Sequence, residues 1–178
     1  MMLDDSKDRW RVALHEAGHC CVSLALGGNC TGLAIFEDGH GVASLGGLSP
    51  FDNAIALAAG AVAEELVVSH DPASPDPFLR PAPTRNENCD MAMPAALADL
   101  AACFPLAEAT PDAVKIAQYC IGGLEDEPER WADRYYFVRE TARRVVADHT
   151  RQILAVARSL YSQGVLHEHD ISKEIERA

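Results

Sequence analysis

Residues 12–19 have the sequence Val-Ala-Leu-His-Glu-Ala-Gly-His, and the organisation of the whole chain follows from this stretch. Its two histidines, His15 and His19, are four residues apart, so on a helix they share one face and lie one turn apart. A capping residue near Asp5 or Ser6 and the glycines Gly27 and Gly28 are suitable ends for that helix. The stretch therefore predicts an amphipathic first helix that carries both imidazoles.

The same motif predicts a metal site. Two imidazoles at this spacing match two positions of tetrahedral zinc. A carboxylate beside them, here Glu16, can accept a proton from a water molecule acidified by the metal and pass it to a leaving amine. We therefore expect one Zn²⁺ per chain, with His15 and His19 as metal ligands and Glu16 as the catalytic residue. A pair of surface histidines, or a polar network in the core, is the alternative interpretation.

Length and composition favour one mainly helical domain. The chain has 178 residues and a mass of 19.2 kDa, which is enough to bury a core without disulfides. Hydrophobic residues make up 48% of the sequence but aromatic residues only 6%, and alanine, leucine and valine dominate. We predict a single domain over residues 1–178, of mainly α class with a small β-sheet.

Charge and cysteine usage restrict the class of protein. The net charge of -12 disfavours nucleic acid and anionic membranes as partners. No apolar run approaches the roughly 20 residues of a membrane helix, and the acidic N-terminus lacks a signal-peptide pattern. The six cysteines show no zinc-ribbon spacing and are interpreted as buried, reduced thiols. We therefore expect a soluble, cytoplasmic protein.

The remaining segments show clear local patterns. Residues 31–48 predict two short strands around a turn, and a Ser-Pro start at residue 49 predicts a second helix through the apolar run 54–68. Five prolines predict a surface loop at residues 70–86. Further helical patterns cover the following stretches: 87–103, 110–121, about 129–162 and a short one near Ser172.

Three stretches in order resemble the FtsH-type zinc metallopeptidase domain. They are residues 12–19, residues 57–66 (Leu-Ala-Ala-Gly-Ala-Val-Ala-Glu-Glu-Leu) and residues 88–90 (Asn-Cys-Asp). The stretch 153–166, followed by Ile171 and Ile175, is similar to the last long helix and the closing helix of that family. The resemblance thus spans most of the chain and implies the fold of that peptidase domain.

The resemblance also implies an activity and a third metal ligand. Proteins of this type hydrolyse peptides or unfolded protein segments with zinc, and a helix-borne aspartate completes their metal site. The matching residue here is Asp90, although Pro94 four residues later is expected to kink or delay its helix. A downstream glutamate, Glu64 or Glu65, stays open as an alternative third ligand.

The resemblance covers the peptidase part alone. No phosphate-binding glycine-rich loop that ends in Lys-Ser or Lys-Thr occurs in the 178 residues, so we expect cleavage of unfolded segments or help from a separate ATPase partner. A homo-oligomer and a monomer are both compatible with the sequence. Two alternatives stay open: a non-catalytic zinc-binding regulatory or peptide-binding module, and a structural helical protein without metal.

Other polar residues receive weaker interpretations. Residues 41–45 are suited to an edge strand that pairs with an extended substrate, or to a plain core strand. His40 is expected in a solvated turn, with an orienting or oxyanion role as the alternative. Four other histidines are expected at the surface: His70, His149, His167 and His169. The cysteine pair after the motif, Cys20 and Cys21, is expected to pack in the core.

Overall fold

Six helices and three strands make up the part of the chain that the computed structural model describes, which is residues 5–67, 111–124, 127 and 129–178. The mainly α class with a small β-sheet is thereby confirmed. The expected loop at 70–86 and the helical pattern at 87–103 lie outside the described residues. The elements in chain order are α1 (Asp5–Ala25), β1 (Asn29–Ile35), β2 (Gly41–Gly46), α2 (Pro50–Val67), α3 (Pro111–Ile121), α4 (Glu129–Asp148), α5 (Thr150–Gln163), β3 (Val165–His167) and α6 (Glu168–Arg177).

The ends of the first two helices follow the local signals in the sequence. Helix α1 stops just before Gly27, whose φ of 83° is a left-handed conformation that glycine adopts at little cost. Helix α2 starts at Pro50, and the Ser49 hydroxyl accepts the backbone N–H of Asp52 at 3.2 Å while it donates to the Asp52 carboxylate at 2.6 Å.

The helical stretch expected over 129–162 is interrupted at His149, which separates α4 from α5. Side chains compete here with the helical hydrogen bonds, because the Thr150 hydroxyl donates to the carbonyls of Val146 and Ala147, both at 3.0 Å. The ring of His149 contacts the Val145 carbonyl through Nδ1 at 2.9 Å. Such back-bonding locally displaces the regular ladder and explains the break.

The sheet has the strand order β2-β1-β3 and is antiparallel throughout. The β1–β2 hairpin, which the sequence predicts, turns at Gly39 with a φ of 85°. The third strand was not expected, because the family resemblance extends the preceding helix to residue 166. That helix instead ends at Gly164, whose φ of 79° turns the chain into β3.

Helix α1 lies at the centre of the core and packs against α2, α5 and the sheet. Its closest approach to α2 is at Gly18, where an added Cβ would lie 2.7 Å from the Ala59 carbonyl oxygen and 2.8 Å from the Ala63 Cβ. The absence of a side chain at Gly18 therefore lets the two helices meet. This contact brings one face of α2 against the histidine face of α1.

Four cysteines are buried free thiols in the core: Cys20, Cys21, Cys30 and Cys120. This position agrees with the packing role expected for the first two. Burial raises the pKa of the Cys120 thiol to about 11, so this group stays neutral. Among the described residues, no helix has both the length and the apolar character that a membrane crossing requires.

Glu65 forms an ion pair that joins α2 to α4. Its Oε1 accepts from Nη2 of Arg139 at 2.7 Å, and the side chains of Glu65 and Arg139 are only 9% and 11% exposed. Removal of one partner from such a pair leaves a charge desolvated and uncompensated. We expect Glu65→Ala to lower the free energy of unfolding by about 3 kcal/mol, measured by urea denaturation of the metal-free protein.

The matched control is Glu127→Ala, because the Glu127–Arg130 pair is about half exposed and exposed pairs contribute about 0–1 kcal/mol. A loss below about 1 kcal/mol in Glu65→Ala would contradict a structural role. Retention of zinc by this variant would separately exclude Glu65 as a metal ligand.

Candidate metal centre

Helix α1 presents His15 and His19 side by side. Their ring centroids are 4.4 Å apart and the ring planes are perpendicular. The side chain of His19 is 4% exposed and that of His15 is 25% exposed, so the pair lies at the edge of the core. The spacing of four residues produces this arrangement, as the sequence predicts.

Asp112 closes the arrangement from the first turn of α3. Its Oδ2 lies 3.3 Å from Nε2 of His15 and 3.1 Å from Nε2 of His19. These three side chains each offer one ligand atom, and all three atoms lie within 4.8 Å of one another. Two imidazole nitrogens and one carboxylate oxygen converging on one point fit a tetrahedral zinc that keeps one position free.

The other nitrogen of each ring is held by α2. Nδ1 of His19 donates to the Ala56 carbonyl at 2.8 Å, and Nδ1 of His15 donates to Oε1 of Glu64 at 2.6 Å. A histidine that donates from Nδ1 presents the lone pair of Nε2 to a metal, so these contacts select the ligand tautomer. Both rings are therefore oriented toward Asp112 by the second helix.

The carboxylates of the site favour a positive charge at the two histidines. Burial lowers the pKa of His15, but its hydrogen bonds to Asp112 and Glu64 outweigh burial and raise that pKa to about 9. Burial alone raises the pKa of Asp112, whereas hydrogen bonds from both histidines bring it below its ordinary value. The metal-free site thus holds a proton where a divalent cation fits.

Glu16 lies beside the histidine pair and under strand β2. It is only 6% exposed, and burial raises the pKa of its carboxyl group despite the opposing effect of His19 and His15. A Cβ added at Gly41 would lie 2.6 Å from both Cγ and Oε1 of Glu16. The glycine thus allows the strand to cover the carboxylate closely.

Gly60 of α2 forms a wall of the centre. A Cβ there would lie 2.7 Å from Nε2 of both His15 and His19, in the space where the two rings converge. We expect Gly60→Ala to weaken zinc affinity by at least about a hundredfold. The added methyl group would displace the two ring nitrogens, and ligand distances in a metal site must hold to within about 0.2 Å. A competition titration with a chromophoric chelator measures this effect.

The fold should tolerate this change, because alanine is about 1 kcal/mol better than glycine inside a helix and metal-free rings can rotate away. Gly32→Ala is the control, since its Cβ would meet only the Leu166 carbonyl oxygen, at an ordinary 3.4 Å. Unchanged zinc affinity in a folded Gly60→Ala protein would place the metal elsewhere.

Glu64 acts on the site through His15. Its second oxygen, Oε2, accepts from Nε of Arg11 at 3.0 Å, and these contacts lower the pKa of Glu64 although burial opposes them. Loss of a partner that orients a metal ligand typically costs about 10- to 100-fold in metal affinity. We predict this loss for Glu64→Ala, measured by the same chelator competition.

Arg11→Ala is the matched control because it leaves the Glu64–His15 hydrogen bond in place, and we expect its zinc affinity to stay within about threefold of wild type. An affinity of Glu64→Ala equal to that of Arg11→Ala would show that Glu64 does not position His15.

A cleft of about 680 Å³ opens over the centre. Its described lining includes the three candidate ligands, Glu16 and Glu64, together with the hairpin turn and strand β2. Apolar side chains line the space between these polar groups: Val12, Val42, Ala43, Leu45 and Leu57. The centre is therefore accessible to a ligand that approaches along β2.

The structure brings His15, Glu16 and His19 together, and Asp90 lies outside the described residues. The assignment of Asp90 therefore stays a prediction, while Asp112 is a candidate that sequence reasoning missed. Two sequence signals point to it: Asp112 follows Pro111 at a helix start, and no proline interrupts the helix behind it. Pro94, by contrast, follows Asp90 closely.

The other glutamate alternatives have different partners. Glu64 contacts Nδ1 of His15, on the opposite side of the ring from Asp112, and Glu65 faces Arg139. Neither side chain joins the group of convergent ligand atoms in the described part of the chain. The structure thus favours Asp112 over both glutamates as the third ligand.

Of the other described histidines, only His40 lies at the cleft. His40 lines the cleft, whereas His149 caps α5 and His167 caps α6. His169 follows in the first turn of α6 and is exposed, and His70 lies outside the described residues. His40 is therefore the one histidine beyond the ligand pair that the described cleft includes.

Two comparisons of the sequence with known proteins find no relative. A scan of the sequence against models of protein families finds no match. A search of curated protein sequences finds none either. The functional interpretation therefore depends on the geometry of the centre.

Proposed function

We propose that this chain is a zinc-dependent metalloendopeptidase of the FtsH-like type, with His15, His19 and Asp112 as the metal ligands. The observation that carries the proposal is the convergence of the two Nε2 atoms and Oδ2 of Asp112 next to a buried carboxylate. Two imidazoles and a carboxylate are a common ligand set of catalytic zinc.

Glu16 is the general base in this proposal. Zinc, when bound, acts as a Lewis acid that acidifies a water molecule and polarises the scissile carbonyl. Glu16 accepts the proton of that water and then passes it to the nitrogen of the leaving amine. The position of Glu16 next to both histidines on α1 supports this role, and the proposed reaction requires no covalent intermediate.

The edge of the sheet supports an extended peptide as substrate. Strand β2 ends the described sheet, and the Phe36 N–H donates to the His40 carbonyl at 2.8 Å. With the register of β1 and β2, this bond directs the backbone N–H and C=O groups of Gly41 and Ala43 away from β1. These groups can pair with a substrate strand laid along the cleft.

Pairing of this kind requires an unfolded or flexible segment. We therefore propose unfolded proteins and peptides as substrates, and a separate ATPase as a partner for folded ones. The test is incubation of the zinc-loaded protein with casein-like unfolded protein and with a tightly folded protein of similar size. Cleavage of the unfolded protein alone is the expected result, and zinc binding without cleavage of either would support the non-catalytic module instead.

A further inference from the structure

The hairpin turn between β1 and β2 places an imidazole at the rim of the cleft. Asp38, Gly39 and His40 line the same space as Glu16. His40 directly precedes Gly41, the residue whose added Cβ would lie 2.6 Å from the Glu16 carboxylate. The imidazole is therefore carried by the segment that covers the proposed base.

Asp38 contacts this imidazole at the exposed rim, where the side chains of Asp38 and His40 are 70% and 81% exposed. Its Oδ1 lies 3.2 Å from Nδ1 of His40 and accepts the His40 backbone N–H at 3.1 Å. Because Nδ1 donates to a carboxylate, Nε2 is the nitrogen left for another partner. In the imidazolium form, for which Asp38 is the counter-ion, Nε2 carries a second N–H.

A peptide bond under attack by water develops negative charge on its carbonyl oxygen, and stabilisation of this charge by a fixed donor lowers the barrier. Besides the histidine ligands, three side chains of the described cleft lining carry donors: Arg11, His40 and Lys115. Arg11 is engaged by Glu64 at 2.9 and 3.0 Å. Lys115 belongs to α3.

His40 is better placed than Lys115 for two reasons. Its Nδ1 has a carboxylate partner at 3.2 Å, which favours one orientation of the ring. It also adjoins Gly41, where β2 begins with one edge unpaired among the described residues, so a peptide paired with that edge passes next to it.

We propose that His40, paired with Asp38, donates a hydrogen bond from Nε2 to the carbonyl oxygen of the scissile peptide bond as that oxygen becomes negative. This role rests on the proposed function and adds a further catalytic residue to it. His40 transfers no proton in this step, so Glu16 keeps its role as base and acid.

The experiment compares the zinc-loaded wild type with His40→Ala, His40→Arg and the surface control His169→Ala on a fluorogenic peptide. We expect His40→Ala to lower kcat by roughly 10- to 100-fold, with KM within about twofold, because the contact forms in the transition state. His40→Arg retains a cation and should recover most of kcat. Asp38→Asn should lower kcat less than His40→Ala does.

Ground-state binding provides the second readout. The Glu16→Gln variant should not cleave the peptide, so its Kd for the peptide can be measured. We expect the same Kd for Glu16→Gln and for the double variant Glu16→Gln/His40→Ala. Zinc content should be equal in all variants. If His40→Ala weakened peptide affinity by the same factor as it lowered kcat, His40 would act only in substrate binding. That result would overturn the proposal.

The two proposals fail in different ways. An inactive zinc-loaded wild type overturns the proposed function and the role of His40 with it. An active, Glu16-dependent wild type with unchanged kcat in His40→Ala overturns the role of His40 alone.

Discussion

Glu16→Gln is expected to abolish peptide cleavage and to leave zinc in place. Glutamine has nearly the same size and shape as glutamate, so the buried position beneath Gly41 stays filled. It cannot accept the proton of the attacking water, and general base catalysis contributes about 10²- to 10⁴-fold. We therefore predict a fall in kcat of at least about a hundredfold, measured with a fluorogenic peptide alongside elemental analysis of zinc.

The control for this prediction is Glu37→Gln, which removes an exposed carboxylate from the nearby hairpin turn. It should keep wild-type turnover. Cleavage by Glu16→Gln at the wild-type rate would exclude Glu16 as the base. Loss of zinc together with activity would instead make Glu16 part of the metal site.

Asp112→Ala is expected to remove the metal. A fully liganded zinc site has a binding free energy of about 10–16 kcal/mol, so the loss of one ligand of this site corresponds to several kcal/mol. We predict at least a hundredfold weaker zinc affinity and no measurable turnover. The fold should persist, because the Asp112 side chain is 26% exposed and lies at a helix start.

Asp90→Ala is the matched comparison, since it removes the aspartate that the sequence resemblance assigns as third ligand. We expect it to keep zinc and activity, which chelator competition and the peptide assay measure. The opposite pattern, with zinc lost in Asp90→Ala and retained in Asp112→Ala, would show that the resemblance identified the ligand correctly. Asp112 would then be a neighbour of the histidines and not a ligand.

Local features of the fold could be predicted because short-range chemistry determines them. The spacing of His15 and His19 defines a helix face, and the Ser49 hydroxyl fixes the start of α2 through Asp52. The helical pattern predicted to end near residue 162 does end at Gln163. The family resemblance extended this helix to residue 166, but Gly164 turns the chain into β3 instead.

The third ligand could not be identified because it depends on long-range packing. Asp112 is 93 residues from His19 along the chain, and no local pattern relates the two. The roles of Glu64 and Glu65 raise the same difficulty. As neighbours on α2 they point about 100° apart, so Glu64 faces His15 and Glu65 faces Arg139. Only the packing of the helices shows which glutamate faces the histidines.

Gly60 shows how function limits a residue that appears ordinary in sequence. Ala56, Gly60 and Glu64 are four residues apart and share the face of α2 that meets the histidines. The first residue orients His19, the second leaves space for the rings, and the third orients His15. The sequence shows this spacing, but its meaning requires the contact between α1 and α2.

Zinc-edge X-ray absorption on the zinc-loaded wild-type protein tests the proposed centre most directly. The proposed site predicts one zinc per chain, bound by about four nitrogen and oxygen atoms at about 2.0–2.2 Å, with the multiple scattering of two imidazoles. A sulfur shell at about 2.3 Å would assign the metal to the cysteines. That result, or the failure of purified protein to retain any zinc, would contradict a site formed by His15, His19 and Asp112.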